Sequence, residues 1–518
     1  MATTKPAAKK RPAAASAVRI MDSGRSRAVR LRGRYDAAQT TSENAEHWAW
    51  ADDLSARAAN SLGVRRTLRK RARYEAANNC YLAGMLLTLA NHTIGSGPRL
   101  QMGTTDSAQN QAIEADFLAW ARDARLAQKL RTVVCTKKRD GEAFLKFVSK
   151  RNHISPVWLD LEVIEGDQVH DPSFVPDKTH VDGIAFDSYG EPETYFILDA
   201  HPGDDYAHGN YQATPTDASQ VMHWFREDRP GARRGVPEVT PALPLFAQLR
   251  RWTLAVLTAA ETAADHAGVL QATAAAPDDT DGDLGSTTPF DDVAYTRGML
   301  TAVPFGWQLS QLRAEHPTTT YPMFKQELLN EIARCLNIPF NIAAGNSSGY
   351  NYSSSRLDHG VYFQQIALEQ IEGEHVILDR IFRAWYAEAR LIVRADGTPF
   401  VPPDLDLSRR PWSWAWDPAE EIDPNKAASA QQNRLESGMS CYQDELARQG
   451  QDWLVVQTRQ AEALGIPLDQ YRALLRQKLF GTLAEQTPAG QQLAARRRRA
   501  VVARRRHSTI RIRTGGAA

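Results

Sequence analysis

The sequence lacks the paired cysteines of secreted domains and the long apolar runs of membrane proteins. Its 518 residues include four cysteines, which stand far apart and form no CxxC pair or Cys/His set at metal-binding spacing. We therefore expect free thiols in a reducing compartment and no metal site. The longest apolar run, residues 81–90, has half of the roughly 20 residues that a membrane-spanning helix needs, so we expect no membrane association.

Motifs of nucleotide and metal chemistry are also absent. No GxxxxGK[ST] or HExxH occurs, which excludes a P-loop ATPase and an HExxH metalloprotease. The acidic stretch 278–283 lacks the glycine and the glutamate of a calcium-binding loop at the required positions. Residues 345–349 (GNSSG) match GxSxG, but a nucleophile elbow needs a strand before the serine, and here a helix is predicted to end at Leu336. A serine hydrolase using Ser347 is an alternative that the motif allows but that the predicted helix before it disfavours. No cofactor is expected.

Charge is distributed unevenly, although the net charge of the whole chain is only +1. Residues 1–34 hold ten Lys and Arg and one acid, and residues 496–518 hold nine Arg and no acid. Residues 35–495 consequently carry a net charge of −17. Such a body repels a phosphate backbone, while the two tails attract polyanions. This distribution suits a protein that lies beside nucleic acid without holding it tightly.

Two basic segments are candidate contact sites. Residues 65–73 lie on a predicted helix, where a solvated face or a row of inter-subunit salt bridges is favoured over a DNA-reading surface. The arginines near the C-terminus cannot pack into a core, so they either contact DNA or another polyanion or only keep the chain in solution. These arginines are Arg496, Arg497, Arg498, Arg499, Arg504, Arg505 and Arg506.

Periodicity divides the chain into helical and β-rich parts and predicts an α+β fold. Helical spacing is seen up to residue 131, and a period of two replaces it over 141–224. A long helix is predicted over 241–276, followed by a second helical region over 321–391. One apolar stripe of that region is predicted to contain Leu368, Ile371, Leu378, Phe382 and Trp385. A segment with three indoles, 411–418, is predicted to be extended, with helices after it.

Short motifs in a fixed order resemble the lambda-type family of bacteriophage portal proteins over most of residues 45–470. Each motif alone is common, whereas their order and spacing together are specific. Two departures are the absence of an acid shortly before residue 351 and an alanine after Lys426. The matching segments are 69–79 (RKRARYEAANN), 93–97 (TIGSG), 140–144 (DGEAF), 159–164 (LDLEVI), 234–237 (RGVP), 328–339 (LLNEIARCLNIP), 351–356 (NYSSSR), 422–426 (IDPNK), 438–440 (GMS) and 464–466 (LGI).

The resemblance implies a portal fold with a mixed α/β wing, a long stem helix, a small clip and a helical C-terminal crown. Such subunits assemble as a ring, typically of twelve copies, at one capsid vertex. The expected parts are a basic N-terminal arm (1–44), a wing that is helical and then β-rich (45–235), the stem helix and clip (236–320), a helical region returning to the wing and channel (321–410), the crown (411–490) and an Arg-rich tail (491–518).

The same resemblance implies a structural protein of the virion, assembled in the host cytoplasm, and not an enzyme. Its implied partners are further copies of itself, double-stranded DNA passing through the channel, the large terminase, the major capsid and scaffold proteins and a head–tail adaptor. A DNA-binding protein of a regulatory kind is the other alternative. Possible residues of the subunit interface are Arg69, Arg71, Arg73, Asn351, Tyr352 and Arg356.

Overall fold

The computed structural model forms two compact units, residues 1–55 and 56–518, and the second contains the elements described below. No helix in the described part of the chain is both long enough and apolar enough to span a bilayer. The N-terminal arm, most of the clip region and the Arg-rich tail lie outside the described residues. Those residues are 42, 45–151, 154–171, 180–204, 212–265, 269–272, 307–310, 321–349, 351–418 and 424–480.

Several helices begin and end at capping residues of the sequence. Asn79 accepts hydrogen bonds from the backbone N–H groups of Tyr81 and Leu82 at the start of the third helix, which ends at Gly95 with a φ of 56°. In chain order the helices are α1 (Ala56–Ala59), α2 (Leu62–Asn78), α3 (Cys80–Ile94), α4 (Ser107–Asp123), α5 (Leu126–Asp140), α6 (Leu243–Asp265), α7 (Tyr321–Cys335), α8 (Phe340–Ala344), α9 (Tyr352–Gly373), α10 (Asp379–Ala389), α11 (Pro424–Glu436), α12 (Tyr442–Arg448), α13 (Trp453–Leu464) and α14 (Leu468–Phe480).

The predicted β-rich segment is confirmed, because seven of the strands lie between Glu142 and Phe225. The strands are β1 (Arg99–Met102), β2 (Glu142–Ser149), β3 (Leu159–Ile164), β4 (His180–Val181), β5 (Ile184–Phe186), β6 (Pro192–Leu198), β7 (Ala213–Asp217), β8 (Val221–Phe225), β9 (Val269–Ala272), β10 (Trp307–Ser310) and β11 (Trp412–Ala415). Strands β2 to β8 form an antiparallel sheet in the order β3-β2-β8 and a second one in the order β4-β5-β6-β7, while β1 pairs with β11 and β9 with β10.

Three clusters of buried apolar residues hold these elements together. The largest packs α4, α5 and α10 against β2, β3 and β11, with Trp120 and Trp385 fully buried. A second cluster joins α2, α3, α6, α7 and α9, and Phe246 of α6 lies at 0% exposure in it. A third, smaller cluster lies between the two larger sheets around Phe144. The chain is therefore a mixed α/β protein, as predicted.

The prediction of a long helix over 241–276 is wrong at the C-terminal end of that range. Helix α6 ends at Asp265, and β9 occupies Val269–Ala272. Strand β9 pairs antiparallel with β10, which lies more than thirty residues later in the chain. An alanine-rich sequence favours a helix locally, but the backbone hydrogen bonds to a distant partner strand outweigh that preference.

The apolar stripe predicted for the second helical region is correct only in its C-terminal half. Leu378, Phe382 and Trp385 are buried, whereas Leu368 and Ile371 are 57% and 48% exposed. A π-helical turn at Glu374–Leu378 follows the exposed pair and ends with the first residue of the buried group. Because a π turn holds more residues than an α turn, it rotates the following side chains to another face.

The prediction of an extended indole segment is confirmed over β11, and the two tryptophans of this strand are bound to α10. The Nε1 groups of Trp412 and Trp414 donate to the same carboxylate oxygen, Oδ1 of Asp379, at 2.9 and 3.0 Å. The Nε1 of Trp416 donates to Glu374 at 2.8 Å. Buried Asp379 of α10 and half-buried Glu374 of the preceding π-helical turn thus bind all three indoles of the segment.

Candidate functional site

A buried ionic core lies where α2, the first sheet and the segment before α6 meet. Its centre is Glu142, the first residue of β2, whose side chain is fully buried. The carboxylate accepts hydrogen bonds from Arg69 at 2.8 Å, Arg234 at 2.7 Å, His223 at 3.1 Å and the backbone N–H of Gly235 at 3.0 Å. One carboxylate therefore joins a helix, two strands and the turn that leads into α6.

Charge pairing sets the protonation states in this ionic core. Burial alone would raise the pKa of Glu142, but the charges of Arg234 and Arg69 and the hydrogen bond from His223 hold it well below the ordinary value of 4.5. Burial lowers the pKa of His223 from its ordinary 6.5, although the Glu142 carboxylate opposes that shift. At neutral pH the core therefore contains an ionised glutamate, charged arginines and a neutral histidine.

The arginine run of α2 supplies this core and its edge. Residues Arg65, Arg69 and Arg73 are spaced by four, so they share one helix face. Arg65 binds Asp182 at 2.5 Å, and Arg73 binds Asp140 at 2.9 Å. The interpretation of the run as a solvated face is wrong for Arg65 and Arg69, which are 2% and 3% exposed. Two features of the sequence point to internal ion pairs for these arginines: their spacing by four on one helix face, and the acids of the β-rich segment, such as Glu142.

A second buried ionic cluster connects α5 to α9. Lys137 and Lys138 donate to Glu369 at 2.5 Å each, and Lys138 also donates to Glu238 at 3.0 Å. All four side chains are nearly inaccessible to solvent. The two lysines hold the pKa of Glu369 below its ordinary value against the effect of burial. No sequence pattern points to this cluster, because its members are about 100 and 230 residues apart.

The turn into α6 requires two glycines. Gly141 has a φ of +93°, which L residues rarely adopt. A side-chain carbon on Gly235 would overlap the carbonyl oxygen of Gly141, so the two backbones approach as closely as they do only because neither carries a side chain. This explains the glycines in DGEAF and RGVP physically, since these two motifs meet in space.

The geometry around Ser347 does not form a nucleophile elbow. Helix α8 precedes it, and Gly345 ends that helix in the left-handed conformation, so no strand leads to the serine. The Ser347 hydroxyl accepts a long hydrogen bond from Asn341 at 3.4 Å, and it is Asn341, not the serine, that contacts His359. The hydrolase alternative thus lacks the strand–turn–helix geometry that its chemistry requires.

One group of metal-ligand type occurs among the described residues, formed by Glu165, Asp167 and His201. Both carboxylates are already paired with arginine: Arg73 binds Glu165 at 3.0 Å and Asp167 at 2.8 Å, and Arg69 binds Asp167 at 2.7 Å. A cation would have to displace these guanidinium groups. We assign this group to the edge of the ionic core.

The predicted interface residues lie in different environments. Arg69 is nearly inaccessible within one subunit, so little of it is left for a neighbour, whereas Arg73 is 28% exposed and Arg71 is exposed. Asn351 and Arg356 are exposed at the start of α9. The side chain of Tyr352 lies outside the described residues, as do the seven C-terminal arginines.

Large apolar side chains are exposed on three neighbouring helices. They are Leu254 and Leu257 of α6, Met323 and Phe324 of α7, and Leu357 and Val361 of α9, with exposures between 52% and 74%. Large exposed apolar side chains on helices that share one apolar cluster are a feature of protein–protein contact surfaces. Helices α6 and α7 also carry an aromatic group in which Trp252 stacks on Tyr321 at 4.9 Å.

Comparisons with known proteins agree with the motif order. The family model for phage portal proteins of the lambda family matches residues 43–370, more than half of the chain. The probable portal protein of Halomonas phage phiHAP-1 is 24% identical over 451 residues, which cover 79% of this chain and 83% of the relative.

Solved structures give a weaker likeness. A chain from the neck of an empty gene transfer agent particle, computed with C6 symmetry, has a TM-score of 0.39 at 13% identity and covers 74% of this chain and 94% of its own. A chain from the virion of a native gene transfer agent particle has a TM-score of 0.40 at 12% identity, with coverages of 75% and 93%. These low TM-scores add nothing to the assignment, which rests on the family match over residues 43–370: the chain belongs to the lambda family of phage portal proteins.

Proposed function

We propose that the chain is one subunit of a ring at one vertex of a phage capsid. Double-stranded DNA would pass through the ring during packaging and ejection. Membership of the portal family supports this role. The structural observation that carries it is the exposed apolar surface of α6, α7 and α9, since a subunit inserted between two neighbours needs such surface on both sides.

The net negative charge of residues 35–495 fits a channel through which DNA passes without being retained. An enclosing ring holds DNA by topology, and each phosphate bound by a fixed cation would add a free-energy trap along the path. Several of the body's arginines are engaged internally, because Arg65, Arg69, Arg73 and Arg234 all bind carboxylates of the same chain. We propose a mildly repulsive channel without residues that read bases.

The parts of the portal fold are proposed from the element order. Residues 45–235 would form the wing around the ionic core, and α6 would be the stem helix. The clip would follow α6 within residues up to 320, and residues 411–490 would form the crown. ATP hydrolysis would belong to another protein, the large terminase, docked on the clip. A head–tail adaptor and the capsid and scaffold proteins would be the other neighbours.

Electron microscopy of the purified full-length chain tests the proposal. We expect negative-stain images of a ring with a central hole, and the number of subunits, proposed to be twelve, would be counted in class averages. A chain that stays monomeric under all assembly conditions would contradict the ring. A continuous arginine-lined channel wall would contradict the proposed mechanism of passage.

A further inference from the structure

Two grooves flank α6 on opposite sides. One, of about 700 Å³, lies between α2 and α6, and Leu243, Ala247 and Arg250 of α6 line it. The other, of about 690 Å³, lies between α6 and α7 and is lined by Leu245. Because successive residues of an α-helix are about 100° apart, Leu245 points roughly 200° away from Leu243. The buried stripe of α6 that contains Phe246 lies between the two grooves.

The groove beside α2 is basic. Lys70 and Arg71 line it and are exposed, and no ion pair within the described part of the chain reaches either of them. The acid in this groove, Glu75, is paired with Arg250 at 3.1 Å and adds no net charge. Apolar surface accompanies the charges, because Tyr74 lines the groove and is 56% exposed. Leu254 lies beyond the lining, one helical turn after Arg250 on α6, and is 61% exposed. We define the basic flank as Lys70, Arg71, Tyr74 and Leu254.

The groove beside α7 is acidic. Glu327 and Glu331 line it at a spacing of four, so they share one exposed helix face. Neither carboxylate has an ion-pair partner among the residues that the structure describes. Phe324 lies one turn before Glu327 and is 52% exposed, and Arg334 at the far end is the one base of this lining. We define the acidic flank as Phe324, Glu327 and Glu331.

We propose that the basic flank of one copy docks against the acidic flank of the next copy and that this head-to-tail contact closes the ring. Lys70 and Arg71 would pair with Glu327 and Glu331, while the apolar members of both flanks would form the dry centre of the contact. The inference rests on the proposed ring, since rotation about an axis requires two different, complementary surfaces on each subunit. It assigns a partner to charges that form no ion pair with any residue in the described part of their own chain.

Two charge-reversal variants of the full-length chain test this contact. The first is Lys70→Glu with Arg71→Glu, and the second is Glu327→Lys with Glu331→Lys. Each alone places like charges across every contact, so we expect each to lose rings at low salt in mass photometry. In an equimolar mixture, every contact between unlike variants is again complementary. We expect rings that contain both variants in equal numbers.

Matched controls carry the same charge changes elsewhere on the surface. They are Glu162→Lys with Glu193→Lys, and Arg390→Glu with Arg409→Glu, all at exposed positions. We expect both controls to assemble like the wild type. Single flank variants that assemble as well as the wild type, or folded flank variants whose mixture forms no ring, overturn the docking model. A wild-type chain that never forms a ring overturns the proposed function itself.

Zero-length crosslinking of the wild-type ring gives a second readout that does not depend on the folding of any variant. A carbodiimide joins a lysine amine to a carboxylate in direct contact. In rings mixed from light and ¹⁵N-labelled subunits, we expect crosslinks between Lys70 and Glu327 or Glu331 that carry one light and one heavy peptide. Inter-subunit crosslinks that form elsewhere and never join these residues would refute the assignment.

Discussion

Glu142 is the residue on which the ionic core depends. Two arginines and a histidine bind its carboxylate, and all three are almost completely inaccessible to solvent. The charges of the two arginines are tolerated in the interior only because the carboxylate is ionised and well placed. The same oxygens accept the backbone N–H of Gly235, which fixes the turn into α6.

Replacing Glu142 by glutamine should destabilise the protein strongly. The amide keeps the shape but leaves Arg69 and Arg234 buried without their shared counter-charge, which costs about 3–5 kcal/mol of unfolding free energy. Urea denaturation followed by circular dichroism measures this loss. The control Glu162→Gln lies on the neighbouring strand at an exposed position and should stay within about 0.5 kcal/mol of the wild type.

The same carboxylate predicts a pH dependence. Its folded-state pKa is depressed, so its contribution to stability is fully present above the unfolded-state pKa, ordinarily 4.5, and is lost as the pH falls through the folded-state value. The unfolding free energy of the wild type should therefore fall between about pH 5 and pH 3 more steeply than that of Glu142→Gln. Parallel pH curves for the two proteins would show that folding does not lower the pKa of Glu142.

Sequence patterns identified these residues but not their arrangement. The arginine run and the DGEAF and RGVP motifs stand out in the sequence, and in the fold they meet around Glu142 and Gly235. Their burial could not be read from α2 alone, because the acids that bind Arg65, Arg69 and Arg73 come from residues more than 65 positions later. A charge run resembles a solvated face until its partners are known.

At the scale of elements, β11 depends on one side chain of α10. Asp379 accepts the indole hydrogen bonds of both Trp412 and Trp414, and its other oxygen lies 3.1 Å from Arg410. Strand β11 also pairs with β1, which lies about 300 residues earlier. Asp379 therefore holds a late segment of the chain on a core built largely from earlier ones.

Replacing Asp379 by alanine should loosen β11. Two buried indole N–H groups would lose their acceptor, at a cost of about 1–3 kcal/mol for each. We expect a lower melting temperature and a red shift of tryptophan emission, because water would reach Trp412 and Trp414. Asp404→Ala, at an exposed position after α10, is the control and should leave both unchanged. An unshifted emission spectrum would mean that the pairing with β1 holds the strand without Asp379.

Elements were predictable where the local pattern and the tertiary contacts agree. The period-two segments became strands, and the indole segment became β11. The prediction was wrong over β9, where pairing with β10 decides the structure, and in the stripe of α9 and α10, where the π-helical turn changes the register. Both errors arise because helical periodicity in the sequence reports neither pairing with a distant strand nor a local change from α-helix to π-helix.

At the scale of the whole molecule, the contrast between the acidic body and the two basic tails predicts which part of the chain binds DNA. The body between the two basic tails should not bind double-stranded DNA at about 0.15 M salt, because it lacks a surplus of cations. A gel-shift assay that compares residues 45–480 with the full-length chain tests this. Retardation of DNA by the shorter chain would favour a body with a true DNA-binding surface. Retardation by the full-length chain alone would assign DNA contact to the tails.

The π-helical turn at Glu374–Leu378 has a consequence for sequence change in this region. Side chains after the turn face the subunit's own interior, while Leu368 and Ile371 before it face outward. Removing a single residue there would restore an unbroken α-helix and swing Phe382 and Trp385 out of the core by about 100°. This stretch should accept many substitutions and almost no change of length, so insertions and deletions among related phages should avoid it.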